Sequence, residues 1–364
     1  MLEDYKLENL VEPALTWFEK NKRDLPWRKD RNPYHIWVSE IMLQQTRVEA
    51  VKGYYERFLH RLPTIRDLAE CPEDELLKLW EGLGYYNRVR NMQKAAKIIM
   101  EDYGGNMPKD YDAILALPGI GAYTAGAISS IAYGISAPAV DGNVLRILCR
   151  VSEDDSDIKK EGVKKKLTSL LFPIMPEKSP GDFNQALMEI GAIVCLPNGE
   201  PLCDKCPWGK MCQAKCHNSI DRYPVKSKAA KRRIEEKTVL LIMDGDKILI
   251  EKRPSKGLLA GLYQFPNLEG YLKRDDVISY VRKKGLDPIF TEPLPEAKHI
   301  FSHIEWRMKG YLVKVSDLEL YQETVEEPPI LIEKSKIQSE YAIPAAFEKY
   351  ATYVNLTLGK KGFL

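Results

Sequence analysis

The sequence has no long apolar run and no strong excess of either charge. Its first residues (MLEDY) contain two acids where a signal peptide carries bases, and no apolar stretch approaches the length needed to span a membrane. The formal net charge is only +2 over 364 residues, so no overall positive field attracts nucleic acid. Internal repeats and low-complexity segments are also absent. We expect a globular, cytoplasmic chain without membrane association, which recognises its ligands through local groups.

The first 218 residues have helical periodicity. Apolar residues recur at three- and four-residue spacing in 51–59, 76–80 and 92–100, with glycine or proline between these stretches. Thr46 and Glu49 have the spacing of a capping box, which predicts that a helix begins there. This places Glu40 on the preceding helix and Gln44 with Gln45 on the connection. Residues 1–218 are therefore predicted to form an all-α domain.

The pattern changes after residue 218. Residues 222–233 contain six bases and no acid, and we interpret 219–235 as a basic linker that either is merely solvated or contacts DNA phosphates. An Asp-Gly-Asp turn between two apolar runs predicts a β-hairpin over 239–250. A helix around 274–284 and strands around 300–306 and 311–315 complete a small α+β domain over 236–350. Residues 351–364 are interpreted as a C-terminal tail.

Cysteine is concentrated in one place. Of seven cysteines, five lie between residues 195 and 216, while Cys71 and Cys149 occupy apolar helical patterns typical of small buried hydrophobes. Gaps of seven, two and five residues separate four candidate ligands, Cys195, Cys203, Cys206 and Cys212. Zinc sites commonly use two Cys-x2-Cys pairs and only one is present, so the spacing favours a [4Fe–4S] cluster over zinc. Cys216 is a free thiol or an alternative ligand.

A glycine-rich turn at 117–121 (LPGIG) is followed twenty residues later by Asp141. A turn built on Leu117, Gly119 and Gly121 exposes backbone N–H groups that can receive a phosphate oxygen. A carboxylate at the start of the next helix lies beside whatever the turn binds. The pair indicates chemistry next to a nucleic-acid backbone. Taken alone, it fits equally well a plain helix–turn–helix connection with a solvated N-cap aspartate.

These elements, in this order, resemble the endonuclease III superfamily of base-excision glycosylases. In that superfamily a helix-hairpin-helix precedes a catalytic aspartate, and a four-cysteine loop holds a [4Fe–4S] cluster. The resemblance implies that Asp141 is catalytic and that the four cysteines named above are cluster ligands. The first gap of this cysteine loop is one residue longer than the six that are typical there.

Two features indicate the branch of the superfamily. Strand-cleaving members carry a lysine two residues after the last hairpin glycine, where this chain has Tyr123, and a phenol forms no imine. Residues 37–46 (WVSEIMLQQT) resemble the adenine DNA glycosylases of the MutY family, with Glu40 as the family's glutamate. Segments 25–28 (LPWR) and 81–86 (EGLGYY) are similar too, and the resemblance covers nearly the whole chain. Without it, Glu40 would be interpreted as an exposed helix glutamate.

The resemblance implies a division of roles. Glu40, on an apolar helix, protonates N7 of adenine and then activates water, while Asp141 at a helix start stays ionised to face an oxocarbenium-like sugar. Tyr123 hydrogen-bonds near Glu40 and the sugar. Because the base must leave the duplex, further residues are expected to contact DNA. These are Gln45 and Tyr85 as inserted residues, Leu43 and Thr46 near the orphaned base, and Trp27 and Arg28 in the adenine pocket. Tyr85 and the adjacent Tyr86 have an alternative interpretation as interhelical packing.

The second half also carries the resemblance. Residues 257–266 (GLLAGLYQFP) are similar to the NUDIX-like domain of MutY proteins, with Tyr263 where many members have tryptophan. The paired glutamates of a hydrolytic NUDIX box do not follow, which leaves a recognition role. Phe301, Ser302 and His303 resemble the segment that reads 8-oxoguanine, since a hydroxyl and an imidazole can report an altered hydrogen-bonding face. Without the resemblance, the histidine would be a structural one.

The expected protein is therefore multidomain, with an all-α helix-hairpin-helix glycosylase domain that carries the cluster loop, followed by a small α+β NUDIX-like domain. We expect a monomeric, monofunctional adenine glycosylase that acts on double-stranded DNA with 8-oxoguanine:adenine or guanine:adenine mispairs. In a bacterium it would be associated with the nucleoid. Two alternatives stay open at this stage: a bifunctional glycosylase/AP lyase for oxidised pyrimidines, and a non-catalytic DNA-damage-binding protein with a structural cluster.

Overall fold

The computed structural model describes residues 5–228, 231–321 and 329–358. Contacts divide the chain into two units, which comprise the described parts of 1–70 with 90–228 and of 71–89 with 229–364. No helix among the described residues is long and apolar enough to cross a membrane.

The first unit is helical, as predicted. The helices of the described chain are, in order, α1 (Val11–Asn21), α2 (Pro33–Leu43), α3 (Val48–Arg61), α4 (Ile65–Glu70), α5 (Glu73–Leu79), α6 (Asn87–Asp102), α7 (Tyr111–Leu115), α8 (Ala122–Tyr133), α9 (Gly142–Ser152), α10 (Glu161–Leu171), α11 (Pro180–Ile193), α12 (Gln213–Cys216), α13 (Arg274–Lys283), α14 (Lys334–Glu340) and α15 (Glu348–Ala351). Of these, α5 and α13–α15 belong to the second unit, and most of α6 belongs to the first.

Helix α2 forms the centre of the first unit. It begins at Pro33 behind Asn32, whose side chain accepts a hydrogen bond from the backbone N–H of Tyr34 at 2.9 Å. Nearly every residue from Ile36 to Met42 is buried, so this helix has no solvent-facing stripe. A helix that is apolar on all sides is enclosed by its neighbours, and α8 packs against α2.

The predicted capping box at Thr46 and Glu49 is wrong. Helix α3 begins at Val48, its N-cap is Arg47, and no side chain caps it. The Thr46 hydroxyl contacts the carbonyl oxygen of Gln44, and Glu49 is exposed and pairs with Lys52 at 2.9 Å. The tight turn between α2 and α3 uses the threonine hydroxyl, which is why the helix starts one residue later without a side-chain cap.

A second packing layer joins the ends of the first unit. The apolar faces of α1, α9, α10 and α11 form one buried cluster, to which Trp208 of the cysteine loop also belongs. The indole Nε1 of Trp208 donates to the carbonyl oxygen of Leu10 at 3.0 Å. The isolated Cys149 is fully buried in this cluster and Cys71 is buried as well, as predicted for small hydrophobes.

The second unit contains a mixed seven-stranded sheet. The strands are β1 (Arg233–Asp244), β2 (Lys247–Lys252), β3 (Tyr263–Gln264), β4 (Asn267–Glu269), β5 (Pro288–Ile300), β6 (Ile304–Val315) and β7 (Ile330–Glu333). The order is β3-β2-β1-β6-β5, with β4 also paired to β1 and β7 to β2. Strands β1 and β6 are parallel, and the remaining pairs are antiparallel. The predicted hairpin around Gly245 and the helix at 274–284 are confirmed.

The strand predicted over 300–306 is wrong in its extent. Strand β5 ends at Ile300, and β6 begins at Ile304. Between them the N–H of Phe301 donates to the carbonyl oxygen of Ile304 at 2.8 Å and reverses the chain. The segment of Phe301, Ser302 and His303 is thus a hairpin connection whose serine and histidine are exposed, not part of a strand.

Both faces of the sheet are covered. Along β1, Val239 and Leu241 face one buried cluster, and Leu240 and Ile242 face another. The first cluster is covered by α14, α15 and the residues that follow, and the second by α13. This double covering explains why the predicted strand is a continuous apolar run without alternation.

The boundaries of the units differ from those drawn on composition. Part of the predicted linker packs on the first unit, because Arg150 donates to the carbonyl oxygen of Tyr223 at 3.1 Å. The end of the predicted linker belongs to the second unit, since β1 already begins at Arg233. Val354 and Leu358 of the predicted tail are buried in the second unit. Residues 71–89, predicted within the helical domain, pack with the sheet unit. The boundaries differ because composition shows where charged and turn-forming residues lie, but it does not show against which hydrophobic core a helix packs.

Candidate functional site

Glu40 lies in the middle of α2, where it is only 5% exposed. The hydroxyl of Tyr123, on the neighbouring α8, donates to Glu40 Oε2 at 2.6 Å. Burial raises the pKa of Glu40 to about 7, against the opposing effect of the Tyr123 hydrogen bond, and the nearby charge of Asp141 adds to the increase. The carboxyl group therefore holds its proton at a higher pH than an ordinary glutamate does.

Asp141 is the N-cap of α9. Its Oδ1 accepts from the backbone N–H groups of Asn143 and Val144, both at 2.8 Å, and its Oδ2 accepts from the Asn143 side chain at 2.8 Å. Burial raises the pKa of Asp141 above its ordinary value, although these three hydrogen bonds act in the opposite direction. The carboxylate is therefore held in one orientation at the positive end of a helix.

The segment that leads into Asp141 is fixed by residues that the sequence analysis missed. The fully buried Asn184 of α11 accepts from Ala139 N at 2.9 Å and donates to the carbonyl oxygen of Ala137 at 2.8 Å. On the other side, a Cβ on Gly126 would lie 2.1 Å from the carbonyl oxygen of Pro138, so α8 approaches this segment as only glycine allows. An asparagine in an otherwise apolar helix pattern is the signal that points to such a clamp.

One cavity of about 640 Å³ collects most of the predicted residues of the first unit. Its lining includes Glu40, Asp141 and Tyr123 together with Trp27, Arg28, Leu43, Gln45, Thr46 and Gly121. Leu117 and Gly119 are not part of this lining. The cavity brings the Glu40 carboxyl group, whose pKa is raised, and the hydrogen-bonded Asp141 to one space large enough for a flipped-out nucleoside.

Arg28 does not face the cavity as a free cation. Its Nη2 donates to Glu189 Oε2 at 2.8 Å, and its Nε donates to Gln185 Oε1 at 3.0 Å. Arg23 donates to the same Glu189 carboxylate at 2.5 and 3.1 Å. Burial opposes ionisation, but the hydrogen bonds from Arg23 and Arg28 hold the pKa of Glu189 below its usual value. Sequence reasoning missed Glu189, whose one signal is an acid within the apolar end of α11.

The predicted helix-hairpin-helix is formed by α7 and α8. Gly119 has a positive φ of 78°, and a Cβ there would lie 2.6 Å from Asn91 Cβ, so both the conformation and the space require glycine. Gly121 is the N-cap of α8 and has open space around it. Leu117 is only 4% exposed, so its side chain packs inside and only its backbone faces the turn.

Apart from the cysteines, the remaining predicted residues lie in the second unit. Tyr85 is 52% exposed, has a positive φ of 48°, and its hydroxyl lies 3.1 Å from Ser302 Oγ. A non-glycine residue in this region is strained by about 1 kcal/mol or more. The ring of Phe301 packs against the ring of Trp306, with 5.0 Å between the ring centroids, and this contact anchors the β5–β6 connection. Tyr86 is buried and has the packing role that was its alternative interpretation.

The four candidate cysteine ligands line one small cavity in the first unit, with Arg150 and Lys215 also in its wall. Arg150 Nη1 donates to Cys195 Sγ at 3.3 Å, so a cation offsets part of the charge that four thiolates would carry. The spare Cys216 is exposed and is not part of this lining.

The four thiols form a donor set that a bound metal group could use. In the part of the chain that the structure describes, no three His, Cys, Asp or Glu side chains are grouped so as to hold one metal ion. Zinc would draw four sulfurs to about 2.3 Å from one point, whereas a four-iron cube holds its cysteine sulfurs around a larger body. Four thiols around a shared cavity are able to surround a cluster of this kind.

Comparison with known proteins agrees with this geometry. Residues 38–173 match the family described as HhH-GPD superfamily base excision DNA repair protein, and residues 238–353 match the NUDIX domain family. The chain is 36% identical over 358 residues to the adenine DNA glycosylase of Homo sapiens, a match covering 82% of this chain and 65% of that protein. It is 35% identical to the adenine DNA glycosylase of Buchnera aphidicola subsp. Baizongia pistaciae, covering 84% and 86%.

The chain belongs to the adenine DNA glycosylase family. Among solved structures, a thermostable thymine-DNA glycosylase is similar to it with a TM-score of 0.54 and 32% identity, over 60% of this chain and all of that one. The similarity of fold thus extends to a glycosylase that is named for a different base. The chain spans about two thirds of the length of the human relative.

The burial of Glu40 predicts that replacing it stabilises the protein. Since the folded-state pKa of about 7 exceeds the ordinary value of 4.5, the favourable contribution of Glu40 is present below pH 4.5 and is lost as the pH rises through 7. The ionised group then costs up to about 3 kcal/mol. Urea denaturation should show that Glu40→Gln raises the free energy of unfolding at pH 8 and changes it little at pH 4.5.

The exposed pair of Glu49 and Lys52 supplies the matched control, because Glu49→Gln makes the same chemical change in water. Glu49→Gln should alter stability by less than about 0.5 kcal/mol at either pH. A Glu40→Gln effect that does not depend on pH would contradict the raised pKa.

Proposed function

We propose that this chain is a monofunctional DNA glycosylase that hydrolyses the N-glycosidic bond of adenine mispaired with 8-oxoguanine or guanine. The observation that carries the proposal is the buried Glu40 carboxyl group, hydrogen-bonded by Tyr123 at 2.6 Å and sharing a cavity with Asp141. Two carboxyl groups in different environments are what glycoside hydrolysis requires.

In the first step Glu40 acts as the acid. A pKa of about 7 leaves Glu40 partly protonated at neutral pH, so it can deliver a proton to N7 of adenine. The bond between C1′ and N9 then breaks, and its electron pair leaves with the protonated base. Tyr123 donates to Oε2 and thereby orients the Glu40 carboxyl group.

In the second step Asp141 faces the positive charge that develops on the sugar. Its orientation is fixed by Asn143 and Val144, so little reorganisation is needed when the charge appears. Glu40, now a carboxylate, accepts a proton from water while the water oxygen bonds to C1′. The products are free adenine and an intact strand with an abasic site.

Tyr123 also argues against the lyase alternative. A bifunctional enzyme needs an amine that forms an imine with C1′, and a phenol with its hydrogen bonded to Glu40 cannot do this. Among the described residues that line the cavity, Lys164 is the one lysine.

Contact with double-stranded DNA is proposed for three groups of residues. The exposed Gln45, with a positive φ of 58°, and the exposed Tyr85 are suited to enter a base stack, with Leu43 and Thr46 near the orphaned base. The open backbone at Gly121, which follows the tight turn at Gly119, is suited to receive a phosphate. Trp27 and Arg28 line the space for the extruded adenine.

For the NUDIX-like unit we propose recognition of the opposite base. Ser302 and His303 are exposed on the β5–β6 connection, and Phe301 beneath them is packed against Trp306. A hydroxyl and an imidazole on a turn that is anchored by packing can distinguish the hydrogen-bonding face of 8-oxoguanine from that of guanine. We further propose a [4Fe–4S] cluster held by the four cysteines that share one cavity.

The first prediction for activity separates the candidate functions. On a duplex with one 8-oxoguanine:adenine pair, a single-turnover assay should yield strand breaks only after alkali, because adenine is removed and the strand stays intact. Glu40→Gln should lower the rate by at least about a hundredfold, as loss of a general acid does, while Glu49→Gln retains it. Strand breaks without alkali would indicate a lyase. Tight binding without any excision would indicate a DNA-damage-binding protein.

The second prediction concerns the opposite base. The double variant Ser302→Ala with His303→Ala should excise adenine opposite guanine at nearly the original rate but lose much of its preference for 8-oxoguanine. Single-turnover rates on the two duplexes measure this, and His217→Ala, an exposed histidine of the first unit, is the control. An unchanged ratio of the two rates would contradict the recognition role.

The third prediction concerns the cofactor. The purified protein should be brown, with a broad absorption near roughly 400 nm that is typical of iron–sulfur ligation. Cys206→Ser should lose the absorption and the bound iron, whereas Cys216→Ser should keep both. A colourless native protein that contains one zinc would overturn the assignment.

A further inference from the structure

A buried carboxylate connects residues 71–89 to the sheet of the second unit. Glu81 follows α5 and is only 3% exposed. Its Oε1 accepts from the backbone N–H of Ile343 at 3.0 Å, and its Oε2 accepts from Lys78 Nζ at 2.7 Å. Lys78 Nζ also donates to the carbonyl oxygen of Tyr341 at 3.0 Å. Glu81 is thus bonded to the short stretch 341–343 directly through Oε1 and by way of Lys78 through Oε2.

That stretch is itself firmly attached. Tyr263 N, in β3, donates to the carbonyl oxygen of Ala342 at 3.0 Å, and the rings of Tyr263 and Tyr341 meet edge to face at 4.7 Å. Ile343 is fully buried in the core of the unit. Glu81 is therefore bonded to a rigid part of the NUDIX-like fold.

On its other side Glu81 leads directly into the turn that carries Tyr85. Gly82 and Gly84 have positive φ angles of 92° and 69°, and Tyr85 itself has one of 48°. The carbonyl oxygen of Gly84 accepts from Trp80 Nε1 at 3.1 Å and from Arg88 Nη2 at 3.0 Å. These bonds fix the backbone conformation of the turn between Glu81 and Tyr85. The hydroxyl of Tyr85 in turn lies within hydrogen-bond distance of Ser302 Oγ.

Stability alone does not account for a carboxylate in this position. A buried ion pair is often replaced by apolar residues of similar volume without loss of stability, because desolvation offsets the attraction. What apolar side chains do not supply is the directed bond to Ile343 N. The chemical gain from Glu81 is therefore a fixed geometry of the turn.

We propose that Glu81 is a positioning residue for opposite-base discrimination: through Ile343 and Lys78 it fixes the turn that holds Tyr85 against Ser302. The inference rests on the proposed function, since it concerns the selectivity of that reaction. In the proposed role Glu81 contacts neither the substrate nor the reacting atoms, and it acts through Tyr85.

The test compares Glu81→Ala and Glu81→Gln with wild-type protein on two duplexes, with 8-oxoguanine or guanine opposite adenine. Glu81→Ala should reduce the ratio of the two single-turnover rates by about tenfold, as expected when a buried hydrogen-bonded charge is removed. The rate opposite guanine should change by less than about twofold. Glu81→Gln, whose amide oxygen still accepts from Ile343 N, should retain most of the ratio. Glu319→Gln, which breaks an exposed pair with Lys247 in the same unit, is the matched control.

Binding supplies a readout that does not depend on excision. Fluorescence anisotropy on the same two duplexes, with 2′-fluoro-deoxyadenosine as the adenine nucleoside, measures the ratio of dissociation constants, because fluorine disfavours a cationic sugar. If the wild-type protein excises no adenine, the proposed function fails, and the binding ratio still tests Glu81. An unchanged ratio in Glu81→Ala, a lack of any opposite-base preference in the wild type, or a parallel loss of both rates with Tm would overturn the inference. Should Glu81→Ala not fold, the ratio in Lys78→Met decides it, because this variant removes the bonds from Lys78 to Glu81 and to Tyr341. An unchanged ratio in Lys78→Met rejects the inference.

Discussion

The enclosure of the Glu40 carboxyl group between α2 and α8 is the constraint on which the candidate active site depends. Water is excluded from the group, so its pKa rises to about 7, and the Tyr123 hydroxyl at 2.6 Å gives it one orientation. An ionised carboxylate in this place destabilises the fold above neutral pH. The protein retains a group that is costly for stability, as active sites commonly do, because a protonated acid at neutral pH requires such a place.

The surroundings of the site serve the same geometry. Asn184 and Gly126 hold the segment that ends at Asp141, and the hydrogen bonds of the helix start then fix that carboxylate. Glu189 binds two arginines and so holds Arg28 in the cavity wall. Asn184 and Glu189 are both buried and each makes several hydrogen bonds, so they fix the two sides of the site.

In the second unit the candidate recognition residues lie on exposed connections, not in an enclosed cavity. Its sheet is covered on both faces, and the exposed connection after β5 carries Ser302 and His303. Residues 71–89 add α5 and the Tyr85 turn to the same unit, with Glu81 as the buried link. Two segments separated by more than two hundred residues thus meet as Tyr85 and Ser302. This places the proposed reading of the opposite base within a single packed body.

Local pattern alone determined the helical and sheet halves, the hairpin at Gly245, the glycine-rich turn and the cysteine spacing, because periodicity, turn chemistry and ligand spacing act over a few residues. The resemblance, not the pattern, pointed to Glu40 and Tyr123. The resemblance also implied that Tyr123 bonds near Glu40, and the structure has that bond at 2.6 Å. Only the tertiary structure decided that Glu189 and Asn184 support the site and that residues 71–89 join the sheet. It also overturned the expected capping box at Thr46 and the extent of the strand predicted over 300–306. Such outcomes depend on which surfaces pack together, and packing partners distant in sequence leave no local pattern.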